Sequence, residues 1–160
     1  RTPAQLAAQG VERIPLESGG YRYVDESANE SSGEGIYLEL TLFQGMELPE
    51  IALKAKSVYP VDSERLLLER VTFGMAGQSF ELVPQRVERI RDKQLLAETA
   101  VFPLGPEVRR LLTLTQRRPG TELTITFQGV NGEIPHQVTR RERLALANMI
   151  YTFREMGGSL

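Results

Sequence analysis

Arg140-Arg141-Glu142-Arg143 puts three cations into four positions, directly after a Thr139 that reads as a helix cap. Cations in the first turn of a helix oppose its macrodipole, each costing roughly 0.3 kcal/mol or more when exposed. Such a turn offers anion recognition: backbone N–H groups at a helix start and guanidinium forks suit a phosphate, a carboxylate or an acidic partner segment. The plainer reading pairs the arginines with Glu142, Glu133 or other nearby acids. Further candidates for the same anion or partner contact are His136, the only histidine, and Arg89 and Arg91. The last two stand two apart and so share one face of a strand, where arginine rows more often protect an edge than bind.

Covalent and metal chemistry are narrowed by what the chain lacks. Cysteine is absent, which removes disulfides, thiolate catalysis, iron–sulfur clusters and Cys-based zinc sites. One histidine cannot build a multi-histidine metal centre. Any Ser–His–Asp site would need His136 with Asp25, Asp62 or Asp92, all in expected loops or turns, and no GxSxG elbow is present. A hydrolase would therefore rest on His136 or on a carboxylate pair that 21 acidic residues do not single out. No GxxxxGK[ST] or GxGxxG stretch offers a nucleotide cradle, so no cofactor is expected. Asp25, Ser27 and Asn29 have the spacing of opening calcium-loop ligands. Glu30 replaces the required glycine, however, and Ile36 the closing glutamate. Asn29-Glu30-Ser31 forms a three-residue glycosylation sequon, a pattern that chance often supplies.

The elements that must position these residues are mostly strands. Leu123, Ile125 and Phe127 alternate with polar neighbours over 121–128, and Asn131-Gly132 suits a two-residue turn. That turn pairs Ile125 with Val138 and Phe127 with His136, and Pro135 marks the second strand as an edge. Thr139 and Glu142 make a capping box that starts a helix at Arg140, ended by Gly157-Gly158. Its expected outward stripe is Arg141, Ala145, Asn148, Thr152 and Glu155. Leu144, Leu146, Ala147, Met149, Ile150, Tyr151 and Phe153 form the covered face.

Upstream, residues 36–43 and 51–60 read as strands and 61–65 as a loop. A hairpin turned at Ala76-Gly77 pairs Phe73 with Phe80 and Val71 with Leu82, and another flanks Asp92-Lys93-Gln94. Pro106-Glu107 opens a short helix over 106–117, whose acidic start and Arg117-Arg118 end obey the dipole rule. Residues 1–35 read as an N-terminal arm with a helical turn at 4–9, a short strand around Tyr21–Val24, and a mobile acidic Ser/Gly linker at 25–35. Residues 36–160 then form one β-rich domain. The expected fold is an antiparallel two-sheet sandwich, immunoglobulin-like in topology, with helices at 106–117 and 140–156.

Charge is uneven: 6 Lys and Arg face 11 Asp and Glu through residue 66, and 13 face 10 after it. A net charge of −2, with no aromatics interleaved among the arginines, argues against nucleic acid. No apolar run is long enough for a transmembrane helix. The chain opens at Arg1 without a signal-peptide pattern, as a processed chain would. Absence of cysteine fits either compartment, and the expectation favours an exported or periplasmic bacterial protein over a cytoplasmic one. The expectation is a non-enzymatic module acting by protein–protein contact, in the cell envelope or a larger assembly, with an unidentified protein partner. An anion- or ligand-binding domain using Arg140, Arg141, Arg143 and His136 is the alternative, and a hydrolase the second.

Overall fold

Period-two alternation makes nearly half of this chain strands, and it turns where glycine, proline or a polar pair breaks the alternation. A computed structural model describes residues 2–63 and 65–160. In chain order the elements are α1 (Pro3–Ala8), β1 (Val11–Pro15), β2 (Gly20–Asp25), β3 (Gly35–Phe43), β4 (Glu50–Pro60), β5 (Leu68–Met75) and β6 (Gln78–Leu82). There follow β7 (Arg86–Asp92), β8 (Leu95–Pro103), α2 (Pro106–Arg117), β9 (Leu123–Gly129), β10 (Gly132–Gln137) and α3 (Arg140–Glu155). They form two antiparallel sheets, one ordered β1-β2-β3-β4-β8-β7 and the other β10-β9-β5-β6. This is the two-sheet sandwich that the strand spacing predicts. No helix among the described residues is long and apolar enough to cross a membrane.

Inward-facing residues of both sheets meet in one core. Ile36, Leu38 and Leu40 of β3 and Leu53 and Ala55 of β4 face Val71 and Phe73 of β5 and Ile125 and Phe127 of β9. Phe73 and Phe102 lock the sheets together edge to face, ring centroids 5.9 Å apart at 75°. The hairpins at Ala76-Gly77 and Lys93-Gln94 fall where expected, with Phe73 opposite Phe80 and Val71 opposite Leu82. Of the expected 61–65 loop, Val61–Ser63 and Arg65 are described; Glu64 and Arg1 lie outside the described residues.

Three expectations are corrected. In the last hairpin His136, not Val138, faces Ile125, and Ile134, not His136, faces Phe127, so Val130-Asn131 form the loop. A tertiary contact explains the shift. A Cβ on Gly129 would come within 2.1 Å of the Leu66 carbonyl oxygen. The turn is tucked against that segment, with the Asn131 N–H donating to Leu66 O at 3.3 Å. Because the pairing moved by an even number, the apolar faces still coincide.

The N-terminal 35 residues are not outside the sheet. β1 and β2 pair onto β3, and Leu6 of α1 belongs to the core. The 26–34 segment, expected as a mobile linker, is tied down: the Lys56 ammonium donates to Glu30 O at 2.7 Å, and Asn29 Nδ2 donates to Asp25 O at 2.7 Å.

This docking also rotates the buried face of α3. Ala145 and Thr152, expected outward, are 3% and 1% exposed, whereas Leu144 and Tyr151, expected inward, are 59% and 46% exposed. Ala145 packs with Ala28 and Tyr37, and Asn148 Nδ2 donates to Gln9 O at 2.9 Å and to Asp25 Oδ2 at 2.8 Å. The N-terminal segment occupies the side that periodicity alone leaves to solvent.

Candidate functional site

The start of α3 is built from the capping box. Thr139 Oγ1 accepts the Glu142 N–H at 3.2 Å, and the Glu142 carboxylate accepts the Thr139 N–H at 2.7 Å. That carboxylate is buried and reaches further, accepting the Ile36 N–H at 2.8 Å. Gly35 leaves the necessary room, since a Cβ there would lie 2.1 Å from Glu142 Oε1. His136 Nε2 is 3.0 Å from both Glu142 oxygens, and His136 Nδ1 is 3.5 Å from Glu34 Oε1. The histidine thus bridges two carboxylates, and no hydroxyl among the described residues is hydrogen-bonded to it. It ties β10 to α3 and to the segment entering β3. A carboxylate already compensates the positive end of the α3 dipole.

Arg143 turns away from its own helix dipole toward another helix. Its Nη2 donates to Thr115 O and Arg118 O, each at 3.0 Å, and its Nη1 donates to Thr121 O. The last carbonyls of a helix lack intrahelical donors, and this guanidinium supplies one to Thr115 O of α2 and two more to the turn that follows it. Burial pushes the Arg143 pKa down from its ordinary value. Between the end of α2 and the start of α3 lies an open groove of about 580 Å³, lined by Arg140, Arg143, Leu144, Ala147, Pro119 and Thr115 among others. Arg117, Arg118, Arg140 and Arg141 have no ion-pair partner among the described residues. Of the expected anion-site residues, the structure brings Arg140 and Arg143 together here, places Arg141 outside the groove lining and leaves His136 on its carboxylate clamp.

Arg89 and Arg91 are elsewhere. Arg89 Nε donates at 2.7 Å to Glu98 Oε2, a carboxylate with no exposed surface inside the sandwich. Glu98 also accepts the Tyr59 hydroxyl and the Leu68 N–H, the latter at 3.2 Å. Burial first, and the bond to Glu98 second, push the Tyr59 hydroxyl up to about 12. This node joins β4, β7 and β8 to the start of β5. Arg91 lies exposed on the edge strand without a partner among the described residues.

The outer face of the six-stranded sheet holds a constellation that sequence reasoning missed. Arg22 Nη1 donates to Glu30 Oε2 at 2.6 Å and lies 3.4 Å from Glu39, and Lys54 Nζ lies 3.4 Å from both Glu39 and Glu88. The hydrogen bond to Glu30 raises the Arg22 pKa, and the same bond lowers that of Glu30. Lys56 donates to Glu30 O and Ser32 O, and burial lowers its pKa. Tyr37 lies beneath, its hydroxyl held protonated well above the usual phenol range by burial and then by Glu39, Glu30 and Glu88. The available signal was Lys54 and Lys56 two apart in a strand whose neighbour carries Tyr37 and Glu39 at the same spacing.

No protein-family model, no curated protein and no solved structure matches this chain.

Proposed function

We propose that this chain is a non-enzymatic, immunoglobulin-like β-sandwich module whose contact surface is the groove between α2 and α3. Its partner presents an acidic segment that also carries apolar side chains. One observation carries this reading: Arg143 is spent on carbonyls at and after the end of α2, while Arg140 stands without an ion-pair partner among the described residues and lines the groove with the exposed Leu144. Burying an exposed leucine contributes about 1.5 kcal/mol or more, whereas a rim ion pair contributes about 0.2–1 kcal/mol. The apolar contact therefore sets most of the affinity, and the arginines set orientation, association rate and salt dependence. The setting in this reading is a larger assembly, in the cell envelope or elsewhere.

The test uses three probes on the whole chain: a labelled amphipathic peptide of Glu with Leu and Phe, a Glu homopolymer and inorganic phosphate. The mixed peptide is expected to bind saturably and to lose roughly tenfold or more in affinity to Leu144→Asp, a change at an exposed site. If the homopolymer or phosphate binds as tightly, and Leu144→Asp changes nothing, the site is one for anions alone. That small-ligand alternative is favoured by one observation, that Arg140 and Arg143 both line the groove. A mixed peptide that fails to bind at low salt defeats the reading.

A further inference from the structure

Beneath the 30–33 segment, the outer face of the six-stranded sheet forms a groove of about 460 Å³, within the size range of small-molecule sites. Pairing across the strands arranges its floor in rows. Lys56, Thr99 and Glu88 stand opposite one another on β4, β8 and β7, and so do Val58, Ala97 and Ile90. Each row crosses three strands, a span of about 10 Å, and the rows are about 7 Å apart. A polar row thus runs beside an apolar one.

Two buried hydroxyls in this groove are unused. Tyr37 and Thr99 are 4% and 6% exposed, and neither hydroxyl has a hydrogen-bond partner among the described residues. Neither is sealed from solvent, since the only sealed and unpartnered side-chain polar atoms among the described residues are Gln9 Oε1 and Ser57 Oγ. A polar group this deep normally has a partner. The charges around them are committed: Arg22 to Glu30 and Glu39, Lys54 to Glu39 and Glu88, Lys56 to the Glu30 and Ser32 carbonyls. The hydrogen-bonding capacity left is the Tyr37, Thr99 and Ser31 hydroxyls and the carboxylate oxygens of Glu88 and Asp92. Carboxylates beside hydroxyls disfavour an anion, and the set complements a molecule with hydroxyls along one edge and C–H groups on one face.

We propose that this groove is a binding site for a neutral saccharide. The sugar hydroxyls engage Tyr37, Thr99 and Glu88, and its C–H face lies on Val58, Ala97 and Ile90. The site is separate from the α2–α3 groove, and its success or failure leaves the peptide reading standing.

The experiment is a heteronuclear NMR titration of the whole chain with neutral oligosaccharides of glucose, mannose, galactose and N-acetylglucosamine, and with glucuronate oligomers as the charged arm. A saturable shift of β4, β7 and β8 amides is expected with at least one neutral sugar, unchanged by added salt because no net charge is matched. The Tyr37→Phe/Thr99→Val variant removes only the two hydroxyls and is expected to keep the fold and weaken binding roughly tenfold or more. Leu144→Asp, in the other groove, is expected to bind as the wild type does. A panel without a saturable neutral responder overturns the proposal, as does binding confined to glucuronate or binding that survives loss of both hydroxyls.

Discussion

Glu142 and Ile36 are 106 positions apart, yet the Glu142 carboxylate accepts the Ile36 backbone N–H at 2.8 Å. One side chain thus caps its own helix, fixes the entry of β3 and faces His136. Glu142→Ala leaves the buried Ile36 N–H and the Thr139 N–H without acceptors. A lost cap costs about 1 kcal/mol and an orphaned buried donor about 1–3 kcal/mol, so urea unfolding is expected to show a loss of about 2–4 kcal/mol. Glu142→Gln, which keeps one acceptor oxygen, is expected to lose less. Equal stability of Glu142→Ala and the wild type would mean that helix and sheet are not joined through this residue.

Glu98 is the second carboxylate on which distant elements converge, and its removal strands Tyr59, Arg89 and the Leu68 N–H together. Breaking a buried charged network from one side costs about 3–5 kcal/mol, the loss expected for Glu98→Ala. Arg89→Met is expected to cost about 1 kcal/mol, because that guanidinium is partly exposed and solvent can replace it. Two similar losses would contradict Glu98 as the centre of the node.

The same node has an alkaline signature. Tyr59 ionises near its ordinary 10 in the unfolded chain and only at about 12 in the folded one. Across that window the unfolded state loses the proton first, so stability that is complete below pH 10 falls as pH rises towards 12. Tyr37 shifts in the same direction, so the informative quantity is the difference between wild type and Tyr59→Phe. Denaturant midpoints measured against pH are expected to fall less steeply in the variant. Parallel curves would remove Tyr59 from the account.

Arg143 caps the carbonyl end of α2 from the first turn of α3. Arg143→Met is expected to cost about 1–2 kcal/mol, the range for a charge-assisted bond in a half-exposed place. Arg143→Lys is expected to recover little, because an ammonium cannot span three carbonyls as a planar fork does. Amide exchange locates the effect: the Arg118 N–H, which donates to Leu114 O, should exchange faster in both variants. Unchanged protection there would make Arg143 a surface charge.

Local rules carried most of this fold. The Phe73–Phe80 pairing, the Lys93-Gln94 turn, the Thr139–Glu142 box and both longer helices follow from neighbours within a few positions. What was not legible depends on contacts distant in sequence. The packing of Leu66 against Gly129 moved a turn, and the docking of Ala28 on Ala145 rotated the face of α3. Residues 25–35 have the composition of a linker, yet their polar atoms find partners in Lys56, Arg22 and Asn148, none of which local pattern identifies. For the same reason the arginine cluster was visible while the roles within it were not. Arg143 is defined by three carbonyls that precede it by 22 to 28 residues.

A charge-swap titration tests the central claim, that the α2–α3 groove takes an acidic segment, most directly. The Glu/Leu/Phe peptide and a twin with Lys for every Glu are titrated against the wild type and against Arg140→Glu/Arg141→Glu at low salt. The predicted result is that the double reversal weakens the acidic peptide roughly tenfold or more and strengthens the basic one, with the preference fading as salt rises. Equal binding of both peptides to both proteins would contradict it.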